Sequence, residues 1–210
     1  MVSRRRTATA SVKPALNAGL TLYAGDGIDS DWVRLVLAEK EVEGARVKLI
    51  APGRIDEDLA LLNPAHSLPT LVDREGVLSN AAIIAEYLDE RYPHPRLMPA
   101  APAERARIRL ALLHLCGDLF PLVQRPGQPL PAGLQSVFRN SLEPTAQQLG
   151  NRRWFMGFDF NLADCAWAVM LRRTRATDLR AWPATSAYAQ RLFTRPAFVR
   201  CFGAANGGAS

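Results

Sequence analysis

The chain has 210 residues, 26 Lys and Arg against 20 Asp and Glu, and a formal charge of +6 at pH 7. With 48% apolar and 22% charged residues, it has a globular composition that excludes a wholly disordered chain. No apolar run approaches the ~18–20 residues needed to cross a bilayer, so the sequence predicts no membrane-spanning helix.

Residues 1–19 carry Arg4, Arg5, Arg6 and Lys13 and no acid. They lack the apolar central run of a secretory signal and read as a basic disordered tail. Residues 20–24 (LTLYA) form a strand candidate and residues 25–29 a turn. Asp29 or Ser30 is placed to cap a helix through Lys40, with Val33, Val36 and Leu37 on one face. Residues 47–50 read as a second strand and 56–62 as a short helix. That helix stops before Asn63-Pro64, because proline disfavours helical geometry in the residue before it. Residues 67–72 place Pro69 at the start of a third strand. A turn at 74–76 leads to a brief strand at 77–78, and Asn80 caps a helix through Arg91. The order is βαβαββα.

From Pro102 the pattern is helical throughout. Residues 104–123 read as one long amphipathic helix, followed by a Pro/Gly-rich connection at 124–133. A further helix covers 134–148, bent or interrupted at Pro144. Residues 161–173 are apolar on most sides, as in a central helix, and Asn161 with Asp164 fits a capping box. Helices at 186–194 and 197–202 precede a flexible end at 204–210. The fold class is therefore α/β plus all-α, with domains at 20–98 and 99–203.

Charge follows this division. Residues 20–98 hold 8 basic and 14 acidic residues, whereas 99–210 hold 14 and 6. The tail contributes +4 of the overall +6, so the basic balance is weak support for free nucleic-acid binding. No recognition-helix or zinc-finger motif accompanies the cluster Arg172, Arg173, Arg175 and Arg180, so sequence-specific DNA reading is not expected. That cluster is either a solvated surface or a face for an acidic partner. The three cysteines, Cys116, Cys165 and Cys201, form no C-x-x-C pair. Their odd, sparse count points to a reducing compartment, hence a cytoplasmic protein. His66, His94 and His114 lack metal-ligand spacing.

The βαβαββα order, the segment Asn63-Pro64-Ala65-His66-Ser67-Leu68-Pro69-Thr70-Leu71-Val72-Asp73 and the helical half together resemble the glutathione transferase fold. The resemblance implies a thioredoxin-like first domain and a cis Pro69, with the Leu68 backbone against the cysteinyl part of glutathione. A closer resemblance lies in Glu86-Tyr87-Leu88-Asp89-Glu90-Arg91-Tyr92-Pro93-His94-Pro95 and Leu97-Met98-Pro99. Val33-Arg34-Leu35-Val36-Leu37-Ala38-Glu39-Lys40 and Asn161-Leu162-Ala163-Asp164-Cys165 support it. These resemble the stringent starvation protein A group, which implies association with bacterial RNA polymerase in starvation and stress. It also implies a partner-binding surface at Pro93, His94 and Pro95, with Tyr92 as neighbour. The alternative for that segment is a helix stop with a stiff, extended interdomain linker.

The transferase reaction needs a donor that stabilises the glutathione thiolate. In the superfamily that donor lies in the first strand–helix turn, which falls here at Gly27-Ile28, neither of which has a side-chain donor. Tyr23 and Ser30 are the weak remaining candidates, against structural roles in the sheet and at a helix cap. The family's acid-Ser pair at the third helix start corresponds to Asn80 and Ala81. Losing the Ser bond to a charged group costs about 1.5–3 kcal/mol. Little or no transferase activity is therefore expected. The competing readings are an active glutathione-dependent transferase and a sensor that holds glutathione or another anion in the cleft, with a paralogous subunit. The fold also implies a homodimer in which the first domain faces helix four, including Arg105 and Arg109, of the other copy.

Overall fold

The computed structural model describes residues 19–123, 132–149, 152–157, 159–174, 179 and 182–203. The basic tail, the connection at 124–131, Arg175, Arg180 and the end at 204–210 lie outside the described residues. Four short strands form one mixed sheet: β1 (Thr21–Ala24), β2 (Arg46–Leu49), β3 (Thr70–Val72) and β4 (Val77–Ser79), ordered β2-β1-β3-β4. β1 runs parallel to β2 with Leu22 opposite Val47, and the other two pairings are antiparallel. A parallel neighbour needs a crossover, which α1 (Ile28–Glu39) supplies. The period of two along β1 sends Leu22 and Ala24 into the main core. It sends Tyr23 to the opposite face, against Leu59 and Val72. α2 (Glu57–Leu62) is capped by Asp56, whose carboxylate accepts from the Leu59 amide at 3.0 Å. α3 (Ala81–Arg91) starts at Asn80, whose side chain accepts from the Ala82 and Ile83 amides.

The helical domain comprises α4 (Pro102–His114), α5 (Ala132–Leu149), α6 (Leu162–Arg173), α7 (Pro183–Phe193) and α8 (Pro196–Phe202). The long helix expected over 104–123 loses α-geometry after His114. It continues as a π-helical turn (Leu115–Leu119) and a 3-10 turn (Phe120–Val123). Pro121 explains much of this, since it has no N–H for the carbonyl four residues back and its ring crowds that carbonyl. Gly117, a poor helix former, lies in the same stretch. α5, by contrast, continues through Pro144. Proline opens α4, α7 and α8, where a missing N–H costs nothing. At α6 the capping box forms: Asn161 Oδ1 accepts from the Ala163 amide at 2.9 Å, and Asp164 Oδ2 accepts from the Asn161 amide at 3.0 Å. Asp164 also accepts from the Phe155 amide and the Tyr188 hydroxyl.

α1 departs most from its sequence reading. Nine of its twelve residues are buried rather than one face, because the helix lies between the sheet, α3, α6 and α8. Asp31, Glu39 and the closing Lys40 are buried too, and each is paired across the fold. Asp31 receives Arg173 from α6 at 2.7 Å, with Arg34 at 3.1 Å and Arg172 at 3.4 Å. Glu39 receives Arg195 through two bonds of 2.7 Å. Lys40, at the helix end, bonds Asp89 of α3 at 2.7 Å. Asp89 in turn accepts from the Leu97 and Met98 amides.

Two measurements test this account. Asp89→Ala strands the Lys40 ammonium and two amides, so a loss of about 3–5 kcal/mol of urea stability is expected, and a loss below about 1 kcal/mol contradicts it. Burial holds the Asp164 carboxyl up at about 6 against the hydrogen bonds from Phe155, Tyr188 and Asn161. The folded protein thus binds this proton more tightly than the unfolded chain. Its contribution is full below the ordinary 3.8 and is lost as pH rises through about 6. Wild-type stability measured against Asp164→Asn is expected to fall by up to about 1.4 kcal/mol per pH unit over that window. A difference that stays flat across it contradicts the assignment.

Candidate functional site

Two surfaces adjoin the ends of α1. At its N-terminus the β1–α1 turn meets the Leu68-Pro69 turn, where the transferase resemblance implies a glutathione cleft that also takes in the start of α3. The Leu68–Pro69 peptide is cis. The β1–α1 turn approaches it so closely that a Cβ on Gly25 would lie 3.1 Å from Leu68 Cδ1. Glycine at 25 is therefore a packing requirement. The Leu68 backbone makes no hydrogen bond among the described residues, so an extended backbone ligand has a free edge there.

The side chains around this cleft are poor thiolate stabilisers. Gly27 is the N-cap of α1 and contributes no side chain, and Ile28 is fully buried in the core. Ser30 is not the cap expected from the sequence: it sits within the helix, and its Oγ accepts from the Gly25 amide at 2.9 Å. That bond fixes the turn through a lone pair of the oxygen and leaves the hydroxyl proton free to donate. Tyr23 lies on the α2 face of the sheet, beside Lys48. Burial, with Asp58 next, pushes its phenol above the ordinary 10.0, which makes it a weaker donor. Across the cleft, burial and the Asp29 charge push the Cys116 thiol up to about 12. Asp29 is itself pushed up by burial. At the start of α3, Asn80 Oδ1 occupies the Ala82 and Ile83 amides at 3.0 and 3.3 Å. Ala81 is buried and adds no donor.

At the other end of α1 lies the loop after α3. Pro93, His94, Pro95 and Arg96 are exposed, Tyr92 is half-buried against the core, and Leu97 and Met98 are buried. The chain bends at His94 and Pro95, and their peptide is cis. The straight, extended segment expected from two prolines is thus not what forms. Instead the loop is held from beneath. Lys40 Nζ donates to the Pro95 carbonyl at 2.5 Å and to Asp89 Oδ1 at 2.7 Å. Asp89 accepts from the Leu97 amide at 2.7 Å and the Met98 amide at 3.1 Å. The Leu97 carbonyl accepts from the Leu162 amide at 3.0 Å, which ties the loop to α6. Sequence reasoning missed Lys40 and Asp89, which lie 49 residues apart. A lysine closing a buried helix was the available signal.

The basic patch expected in the helical half changes character. Arg173 is buried and committed to Asp31 and the Asp26 carbonyl, and the more exposed Arg172 also reaches Asp31. Arg105 and Arg109 pair with Glu90 and Glu86 of α3 in the same chain, at 3.2 and 2.6 Å. The acidic and basic halves thus complement each other within one molecule. Among the described residues no group of His, Cys, Asp and Glu is arranged to hold a metal ion, and no helix is long and apolar enough to cross a membrane.

Comparison with known proteins agrees with this architecture. The family model of the glutathione S-transferase N-terminal domain matches residues 30–96. The glutathione S-transferase of Sinorhizobium meliloti superposes with a TM-score of 0.71 at 27% identity, covering 87% of this chain and 91% of that one. A stringent starvation protein A homolog from Haemophilus influenzae is 38% identical over 199 residues, spanning 89% of this chain and 91% of its own. One from Coxiella burnetii is 39% identical over 161 residues, 73% and 75% of the two chains. With the glutathione transferase fold and relatives of this identity over most of its length, the chain belongs to the stringent starvation protein A family.

Proposed function

We propose that this protein is a non-catalytic transcription regulator that docks on bacterial RNA polymerase, in the cytoplasm, in starvation or stress responses. Its docking surface is Tyr92, Pro93, His94 and Pro95. The observation that carries this reading is the exposed Pro93–Pro95 loop set on a buried Lys40–Asp89 pair. An exposed segment whose backbone is fixed in advance loses little entropy when a partner binds. The choice of RNA polymerase as partner follows what the resemblance to the stringent starvation protein A group implies. The non-catalytic half rests on the β1–α1 turn, where Gly27 and the buried Ile28 offer no side-chain donor to a thiolate. The protein acts as a homodimer: Ile83 of α3 and Leu110 and Leu113 of α4 are largely exposed apolar side chains, and such groups favour burial against a second copy.

A second reading rests on Leu68. Its free backbone beside cis Pro69 preserves a shape that accepts glutathione, so the cleft holds glutathione or another anion without turning it over, or serves an active transferase.

His94→Ala combined with Pro95→Ala is expected to retain the urea midpoint and to abolish capture by purified polymerase; unchanged capture refutes the docking surface. With glutathione and a chlorodinitrobenzene electrophile, the protein is expected to show only the uncatalysed rate. Turnover removed by Tyr23→Phe or Ser30→Ala would establish the active transferase instead.

A further inference from the structure

The loop carries one cation that the fold does not use. Arginines at and beside α3 do have acid partners. Glu75 receives Arg74 at 3.2 Å and Arg91 at 3.8 Å, and Glu90 receives Arg105 at 3.2 Å. Arg96 is exposed and makes no ion pair or hydrogen bond among the described residues. Its backbone is nonetheless fixed on both sides, by Lys40 on the Pro95 carbonyl and by Asp89 on the Leu97 amide. A free guanidinium thus stands on a rigid base beside two prolines and a histidine. Arg96 has no acid partner among the described residues, so it adds one unpaired positive charge to the loop.

We infer that Arg96 is the charged anchor of the docking loop and that the loop's partner is an acidic protein segment of the polymerase. The inference rests on the docking reading above and names the chemistry of the surface that Tyr92–Pro95 meets. A guanidinium offers a planar fork that matches a carboxylate with two parallel bonds. The neighbouring prolines and Tyr92 add apolar contact, which suits a peptide with acids next to apolar side chains. A nucleic-acid backbone fits less well. Phosphate binding draws on many cations at once, whereas the surplus here is small and residues 20–203 carry a net charge of only +2.

The test measures binding of the full-length protein to purified RNA polymerase holoenzyme across a salt series, with free duplex DNA as a parallel arm. At low salt, Arg96→Glu is expected to weaken polymerase binding by about tenfold or more and to flatten its salt dependence. Arg96→Lys, which keeps the charge but loses the fork, is expected to fall between the two. Arg54→Glu, a charge reversal on the β2–α2 connection, is expected to leave binding unchanged. Equal binding and equal salt dependence for wild type and Arg96→Glu overturn the inference while leaving the docking surface standing. An effect of Arg96→Glu confined to the DNA arm also overturns it, in favour of a phosphate partner. Absence of wild-type binding to polymerase overturns the docking reading, and this inference with it.

Discussion

A buried helix that carries charge must find its counter-charges in the elements packed around it, and α1 is such a helix. Asp31, Glu39 and Lys40 are each less than 7% exposed. Taking an ion out of water costs several kcal/mol unless it is paired. The partners are Arg173 of α6, Arg195 between α7 and α8, and Asp89 of α3. The Arg195 guanidinium also lies 3.5 Å from the centre of the Phe160 ring, so its own charge is held on two sides. Pairs of this kind add less net stability than an apolar core would, but they penalise arrangements in which a charge is left alone. The helical domain therefore sits on the thioredoxin-like sheet in the position that satisfies Asp31 and Glu39 together.

The same helix organises both candidate surfaces. At its N-terminal turn Ser30 fixes Gly25, which packs against Leu68 beside Pro69. Its last charged residue holds the Tyr92–Pro95 loop through Asp89 and the Pro95 carbonyl. One end thus has no side-chain donor at Gly27 or Ile28, while the other presents an exposed loop held from beneath. The proposed binding role draws on this difference between the two ends. The opposite charges of the two halves meet within the chain at Glu86–Arg109, Glu90–Arg105, Asp31–Arg173, Glu39–Arg195 and Glu41–Arg200.

Much of this architecture is legible in the sequence, for local reasons. The strands follow short apolar runs, Asn80 and Asn161 cap as their positions require, and Asp164 completes its box three residues on. These features depend on neighbours within a few residues. What the sequence hid is non-local. The Lys40–Asp89 pair spans 49 residues, Arg173–Asp31 spans 142 and Arg195–Glu39 spans 156. Read by periodicity alone, α1 has a polar face, and only the domain packing shows that its charges are buried. Ser30 was misplaced for a related reason: a serine near a helix start reads as a cap, but here the helix begins earlier and the hydroxyl serves the preceding turn. The sequence likewise does not show that Lys40 and Asp89 hold the chain on either side of Arg96, just after the bend at His94-Pro95.

The central claim is that the pinned loop, and not the cleft or sheet edge, meets the polymerase. A photo-crosslinking residue in place of His94, compared with one in place of Ile55 on the far connection between β2 and α2, addresses this directly. The account predicts crosslinks to polymerase from position 94 and none from position 55. Crosslinks from position 55 with none from position 94 would contradict it.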